Sequence, residues 1–316
     1  MLHIDPNRGG FALNRRRFIL GATGLATAAA WPRALWAAEA PYSFKQGDFE
    51  ITVVSDGHLV LPSSLLAADA PAEERKALLE AAGLGGENVM PAANPVLIRS
   101  GSDLILFDTG SGTGFQPTAG KLIENLTAAG IDPASITKVV FTHGHPDHFW
   151  GTSADGALKF PNAAYYSGAA EWDFWNGPEI FNQMPPEMHD FVKGAQAQYM
   201  AVKDLVTMLK PGDEIVTGIS ALDTAGHTPG HMSFEVAGGE GLIIVADALS
   251  IPAVFFPHPE WKFGFDANHD MAIAARQKLL DRAATDKVKM IGFHWPYPGV
   301  GFAERKDTAY TYVPVS

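Results

Sequence analysis

The stretch FTHGHPDHFWG, residues 141–151, constrains this chain more than any other part of it. It sets His143, His145, Asp147 and His148 within six positions, a density of ligand-type side chains that a bound metal ion needs and ordinary packing does not. Residues two apart in an extended chain point the same way, so His143 and His145 can grip one ion from one side. Gly144 between them leaves the backbone room to bend. Pro146 then breaks the extended run and opens a helical turn, which aims Asp147 and His148 elsewhere. One segment thus supplies ligands to two places, and this predicts two ions, about 3.5–4 Å apart as in hydrolytic two-metal sites.

Each ion takes about four ligands, water included, so others must come from elsewhere in the chain. There is no cysteine, which restricts the donors to imidazole and carboxylate and excludes a disulfide framework. Three further candidates stand at the ends of short apolar runs: His227 after ISALDTAG, Asp247 in GLIIVADALS and His294 in VKMIGFHW. ITKVVFT leads into the first cluster in the same way. A carboxylate can bridge two ions where an imidazole cannot, so Asp247 is the natural bridge. His143, His145 and His227 would hold one ion, and Asp147, His148 and His294 the other. His231, in the same loop as His227, is the expected hydrogen-bonding support, while His58, His189, His258 and His269 read as ordinary structural histidines.

The rest of the chain reads as interleaved strands and helices. GDFEITVVSDGHLVLP suggests two strands around a turn at Ser55-Asp56-Gly57, and PVLIRSGSDLILFDTG a hairpin turning at Gly101-Ser102. Helical spacing is expected over 71–83, 117–130, 166–176, 186–209 and 268–284. With no Gly/Ser linker, this is one α/β domain of two sheets covered by helices, spanning 41–316.

Residues 1–40 are of another kind. NRRRFIL runs into GATGLATAAAW, the basic-then-apolar pattern of an export signal, and Arg15-Arg16 with Phe18 resembles the twin-arginine consensus, an address read by the export machinery and not an anchor. The expected location is periplasmic or secreted, with no stable membrane anchor. Losing five basic and two acidic residues with it would move the formal charge from −12 to −15. Such a surface excludes nucleic acid as a partner, because phosphate binding needs a cationic face.

Taken in order, DTG at 108–110, THGHPDH, GHTPGH, the Asp247 segment and His294 resemble the metallo-β-lactamase superfamily, whose fold is a four-layer αββα sandwich with a dinuclear site at one edge. The resemblance implies that Asp108 orients ligand histidines. Ala246 departs from the glycine usual before the bridging aspartate. GDFEITVVSDGHLVLP, FPNA at 160–163, WDFW at 172–175, FVKGA at 191–195 and YPGVGFAERKDTAYTYVPV look like the methyl parathion hydrolases and related lactonases. That likeness implies an aromatic pocket formed here by Phe115, Trp175 and Phe191, and a homodimer. Phe149 and Trp150 are larger than what such hydrolases tend to carry, so substrate preference should differ from theirs.

The expected chemistry is attack by a metal-bridging hydroxide on an apolar lactone, ester or organophosphate triester, with Asp147 and Asp247 as the working carboxylates. Zinc is the default metal for imidazole-rich sites, although two carboxylates also admit manganese, iron or cobalt. The alternatives are a periplasmic β-lactamase, against which Asp247 counts, and a non-enzymatic metal-binding protein of the same fold. Glyoxalase-type thioester hydrolysis fits poorly, since only Arg305 and Lys306 would meet an anionic substrate.

Overall fold

The computed structural model describes residues 39–315; the expected export signal, but for its last two residues, lies outside them. Two seven-stranded sheets carry the fold. The first runs β1 (Tyr42–Gln46), β2 (Phe49–Val53), β3 (Val96–Ser100), β4 (Asp103–Phe107), β5 (Lys138–Val140), β6 (Ala164–Gly168) and β7 (Val206–Leu209), in that spatial order. Its first four strands form an antiparallel meander and the last three join parallel. The second runs β8 (Glu214–Val216), β9 (Ile219–Asp223), β10 (Met232–Val236), β11 (Leu242–Ile244), β12 (Lys289–Ile291), β13 (Val300–Lys306) and β14 (Ala309–Pro314), antiparallel except between β11 and β12. Among the described residues eight α-helices accompany them: α1 (Ala72–Ala81), α2 (Leu122–Ala128), α3 (Pro146–Phe149), α4 (Ala169–Asn176), α5 (Ile180–Gln183), α6 (His189–Val202), α7 (Pro252–Phe255) and α8 (His269–Asp286).

The layering follows from strand periodicity, since alternate side chains face opposite ways. Val96, Ile98, Ile105 and Phe107 turn inward and meet Phe234, Leu242, Ile244 and Ile291 of the facing sheet. Their neighbours Leu97, Leu104 and Leu106 turn outward against Leu122, Leu126, Val192 and Tyr199 of the helices. On the other side Ile243 and Met290 meet Phe255, Leu279, Leu280 and Ala283. The result is an αββα sandwich. Phe107 and Phe234 pack across the middle with ring centroids 5.0 Å apart, and truncating either to alanine would cost about 3–5 kcal/mol.

Several local readings change. The helical run expected over 166–176 begins as strand β6, and that over 186–209 is helix α6 followed by strand β7. Asp56, between the strand Phe49–Val53 and the short strand Gly57–His58 as expected for a turn, is fully buried, and its carboxylate accepts the backbone N–H groups of Ser111, Gly120 and Leu122 at 2.8–3.1 Å. His143 and His145 stand in the loop after β5 and not in a strand, while Pro146 does open helix α3. The pairings make β4, β5 and β6 point one way in the first sheet, and β9, β11 and β12 share one direction in the second. Chain leaving those carboxyl ends forms a single rim, and every candidate ligand lies on it.

Candidate metal centre

On that rim the structure gathers the residues expected to bind metal. His143, His145 and His227 bring one nitrogen each to within 4.8 Å of one another, and one atom each of Asp147, His148 and His294 does likewise. Asp247 lies between. Its Oδ2 is 3.4 Å from His227 Nε2 and 3.3 Å from His294 Nε2, and its Oδ1 is 3.2 Å from His148 Nε2. Asp147 Oδ2 is 3.1 Å from His294 Nε2.

The outer nitrogens of four rings are held. His148 Nδ1–H donates to Asp108 Oδ2 at 2.7 Å, His294 Nδ1–H to the Ala92 carbonyl at 2.9 Å, and His227 Nδ1–H to Asp266 Oδ1 at 3.0 Å. The Thr142 hydroxyl donates to Asp108 Oδ2 and so accepts from His143 Nδ1–H at 3.0 Å. These bonds fix the orientation of each ring so that Nε2 faces inward. Asp108 therefore orients two rings, one directly and one through Thr142, and its left-handed backbone, φ 63°, turns the chain to do so. His231 supports the carboxylate in the middle: its Nε2 accepts the Asp247 backbone N–H at 3.2 Å while its Nδ1 bonds to Thr224.

The donor set fits divalent metal because its own needs are unmet without one. His143 Nε2, His148 Nε2 and Asp247 Oδ1 are buried without a hydrogen-bond partner, which is costly unless a cation meets them. His227 Nε2 and His145 Nδ1 also point at each other from 2.9 Å. With the His227 proton committed to Asp266, two converging ring nitrogens are what a shared cation asks for.

Electrostatics divide the cluster. Burial, together with neighbouring imidazoles, pushes His143 well below the ordinary value and His145 to about 3, so both rings are neutral. Burial also acts against charge on His148 and His294, but Asp247 and Asp147 override it, raising His148 and lifting His294 to about 10. The same pairs overcome burial at Asp147 and Asp247 and hold both carboxyls below the usual range.

Residues 91–294 match the Metallo-beta-lactamase superfamily. The chain belongs to that superfamily. Within it, the N-acyl homoserine lactonase AttM of Agrobacterium fabrum is 30% identical over 198 residues, 58% of this chain and 68% of that protein. Among solved structures, the dizinc quorum-quenching lactonase AidC, in complex with a product N-hexanoyl-L-homoserine, superposes with a TM-score of 0.82 at 27% identity, covering 88% of this chain and 98% of its own. The hydrolase AbOPH, of the beta lactamase superfamily, gives 0.83 at 29% identity, covering 89% and 99%. Membership makes the αββα layering that of the metallo-β-lactamase fold.

The aromatic residues expected to line a pocket separate in this metallo-β-lactamase chain. Phe115 and Phe191 are half-buried with ring centroids 5.8 Å apart. Trp175 is only 1% exposed and stands behind the site, its ring centroid 6.0 Å from that of His145. Trp150 takes the third place instead, 5.7 Å from Phe115 and 6.0 Å from Phe191. It is the C-cap residue of α3, three residues after Asp147. Phe149 is core, packed on Phe141 and Tyr199. Sequence reasoning also missed Glu171, Asp266 with its buried partner Arg276 at 3.0 Å, and Phe293, which stacks on His148 at 3.8 Å. None of the three carried a usable signal: Asp266 lies 39 residues from His227 and meets it only in the fold.

Proposed function

We propose that this chain is a dinuclear zinc hydrolase of apolar lactones, with N-acyl homoserine lactones as the leading substrate class. Carboxylic esters and organophosphate triesters present an electrophile to the same site and form the second class. The observation that carries the reading is the cluster itself: six ligands in two sets with Asp247 between them, in a chain similar to a dizinc lactonase and to AttM. Two divalent ions bound there supply Lewis acidity and an activated water.

The chain's own residues do the rest. Asp147 and Asp247, kept ionised by the pairs around them, present anionic oxygens at any working pH. Asp108, Asp266 and the Ala92 carbonyl hold the rings in one orientation, so no reorganisation is needed when the ligand set closes. Phe115, Trp150 and Phe191 offer an apolar wall for an acyl chain or aryl group. No nucleophilic serine or cysteine is required. The basic-then-apolar leader implies that the enzyme works in the periplasm or outside the cell, and zinc would be loaded on the folded chain.

Zinc-loaded protein tested side by side on an acyl homoserine lactone, an aryl ester, a phosphotriester and a β-lactam decides the matter by kcat/KM. The lactone should rank first and the β-lactam last. Turnover of none of the four by a protein holding two zinc ions would point to the non-enzymatic alternative, and a dominant β-lactam rate to the β-lactamase.

A further inference from the structure

Glu171 is 1% exposed and takes no part in the ligand set, yet its carboxylate accepts four hydrogen bonds. Oε1 receives the Gly144 backbone N–H at 2.8 Å and the Trp175 indole N–H at 2.7 Å. Oε2 receives the Thr228 hydroxyl at 2.7 Å and the Gly230 N–H at 2.9 Å. Gly144 separates His143 from His145, and Thr228 follows His227. One carboxylate on the first turn of α4 thus ties together the two loops that carry all three histidines of one half. None of these four bonds reaches Asp147, His148 or His294 themselves.

The local fit explains why the loops can come so near. A Cβ on Gly144 would lie 2.4 Å from Trp175 Nε1, and one on Gly230 would lie 2.0 Å from the Glu171 backbone nitrogen. The 227–231 loop rests on the first turn of α4 and the Gly144 backbone on the Trp175 ring from its last turn, where any side chain would lift them off. Burying a carboxylate is expensive unless every lone pair is met, and here four donors from three elements meet it. A purely structural helix turn has no need of that charge; two loops from opposite sheets, each holding part of one ligand set, do need a common anchor.

We propose that Glu171 is the positioning residue of the three-histidine half of the centre, setting the separation of His143 and His145 from His227 and thereby the affinity of that half alone. This rests on the dinuclear reading above. In Glu171→Gln the amide oxygen can keep the Gly144 and Trp175 bonds and the Thr228 hydroxyl can reverse to accept, but the Gly230 N–H then faces an NH2 group and is lost. The fold survives with one bond broken between the loops.

The test is zinc affinity of chelator-stripped full-length protein, measured by competition with a chromogenic chelator. Wild type should take two zinc ions; Glu171→Gln should weaken one of them by about 10–100-fold and leave the other unchanged. In a His294→Ala background the remaining ion should weaken by the same factor, whereas in a His145→Ala background Glu171→Gln should add nothing. Activity of Glu171→Gln should return at excess zinc with KM unchanged, which a general loosening would not allow. Asp56→Asn is the control: it removes another buried carboxylate that anchors a loop, and should lower Tm without changing either zinc affinity. Equal weakening of both ions, or of neither, overturns the assignment of Glu171, as does zinc weakening by the Asp56 variant to the same degree. Wild type binding fewer than two zinc ions would instead overturn the dinuclear reading.

Discussion

The two halves of the cluster are built from similar residues and are charged in opposite ways. His143 and His145 are neutral rings whose inner nitrogens face His227 and each other. His148 and His294 carry protons shared with Asp147 and Asp247. The cause is the placement of carboxylate. Asp147 and Asp247 lie 3.1–3.3 Å from the inward Nε2 of His294, whereas on the inward side of the other half the nearest carboxylate oxygen, that of Asp247, stands 3.4 Å from His227 Nε2, and Asp266 meets His227 only on its outer Nδ1. Without metal, burial keeps the rings of His143 and His145 neutral, while the carboxylates around His148 and His294 favour their charged forms. The first half can take an ion at neutral pH with nothing to expel; the second must release protons.

The largest effect expected comes from the residue that joins the halves. Asp247→Ala removes the shared carboxylate and leaves His148 and His294 without one of their counter-charges, so kcat/KM should fall on the order of 10²–10³-fold or more and zinc content should drop below two. A variant retaining both full occupancy and activity would show that Asp247 joins nothing.

The second prediction sharpens the contrast through pH. In metal-free protein the folded His148 and His294 values lie above 6.5, so the stability from these pairs is complete below about 6.5 and is lost as pH rises towards about 10. Folded Asp147 and Asp247 lie below 3.8, so their contribution is present above that value and lost in acid. Metal-free Tm should therefore fall between pH 7 and 10, and zinc-loaded protein, with metal in place of the protons, should not follow it. Parallel curves for the two forms would contradict the proton assignment.

A smaller effect is expected at Asp266. Asp266→Asn keeps its shape but no longer fixes the His227 tautomer and leaves the buried Arg276 without its charge partner. Zinc affinity of the three-histidine half should fall about 10–100-fold, with the other half unchanged, read by the same chelator competition. The smallest concerns Ala246, which precedes the bridging aspartate at φ 46°. Left-handed backbone costs a non-glycine residue about 1–2 kcal/mol, and part of that relief is lost to greater freedom in the unfolded chain. Ala246→Gly should raise stability by about 0.5–1 kcal/mol in denaturant unfolding.

Much of the candidate ligand set is legible in the amino-acid sequence, because each candidate follows a short apolar run and strand ends on one rim are where such runs deliver their side chains. Pro146 announces the change of direction in the first cluster, and α3 begins there. What stays hidden depends on contacts far apart in sequence. Glu171 sits in AAEWDFW, an ordinary helix start, and only the approach of the 227–231 loop shows what it holds. Trp175 looks like a pocket wall by its setting among aromatics, but burial places it behind Gly144 and leaves that part of the rim to Trp150. Strands β6 and β7 merge into the neighbouring helices when read by spacing, since they are only five and four residues long, β6 runs straight into α4 and β7 follows closely on α6.

Titrating metal-free protein at pH 8 with zinc, by calorimetry in two buffers of different ionisation enthalpy, puts the unequal halves to the sharpest test, because it counts ions and protons together. Two equivalents are expected, one entering with little proton release and one displacing the protons held by His148 and His294. A single equivalent, or two with the same proton release, would contradict this division of the centre.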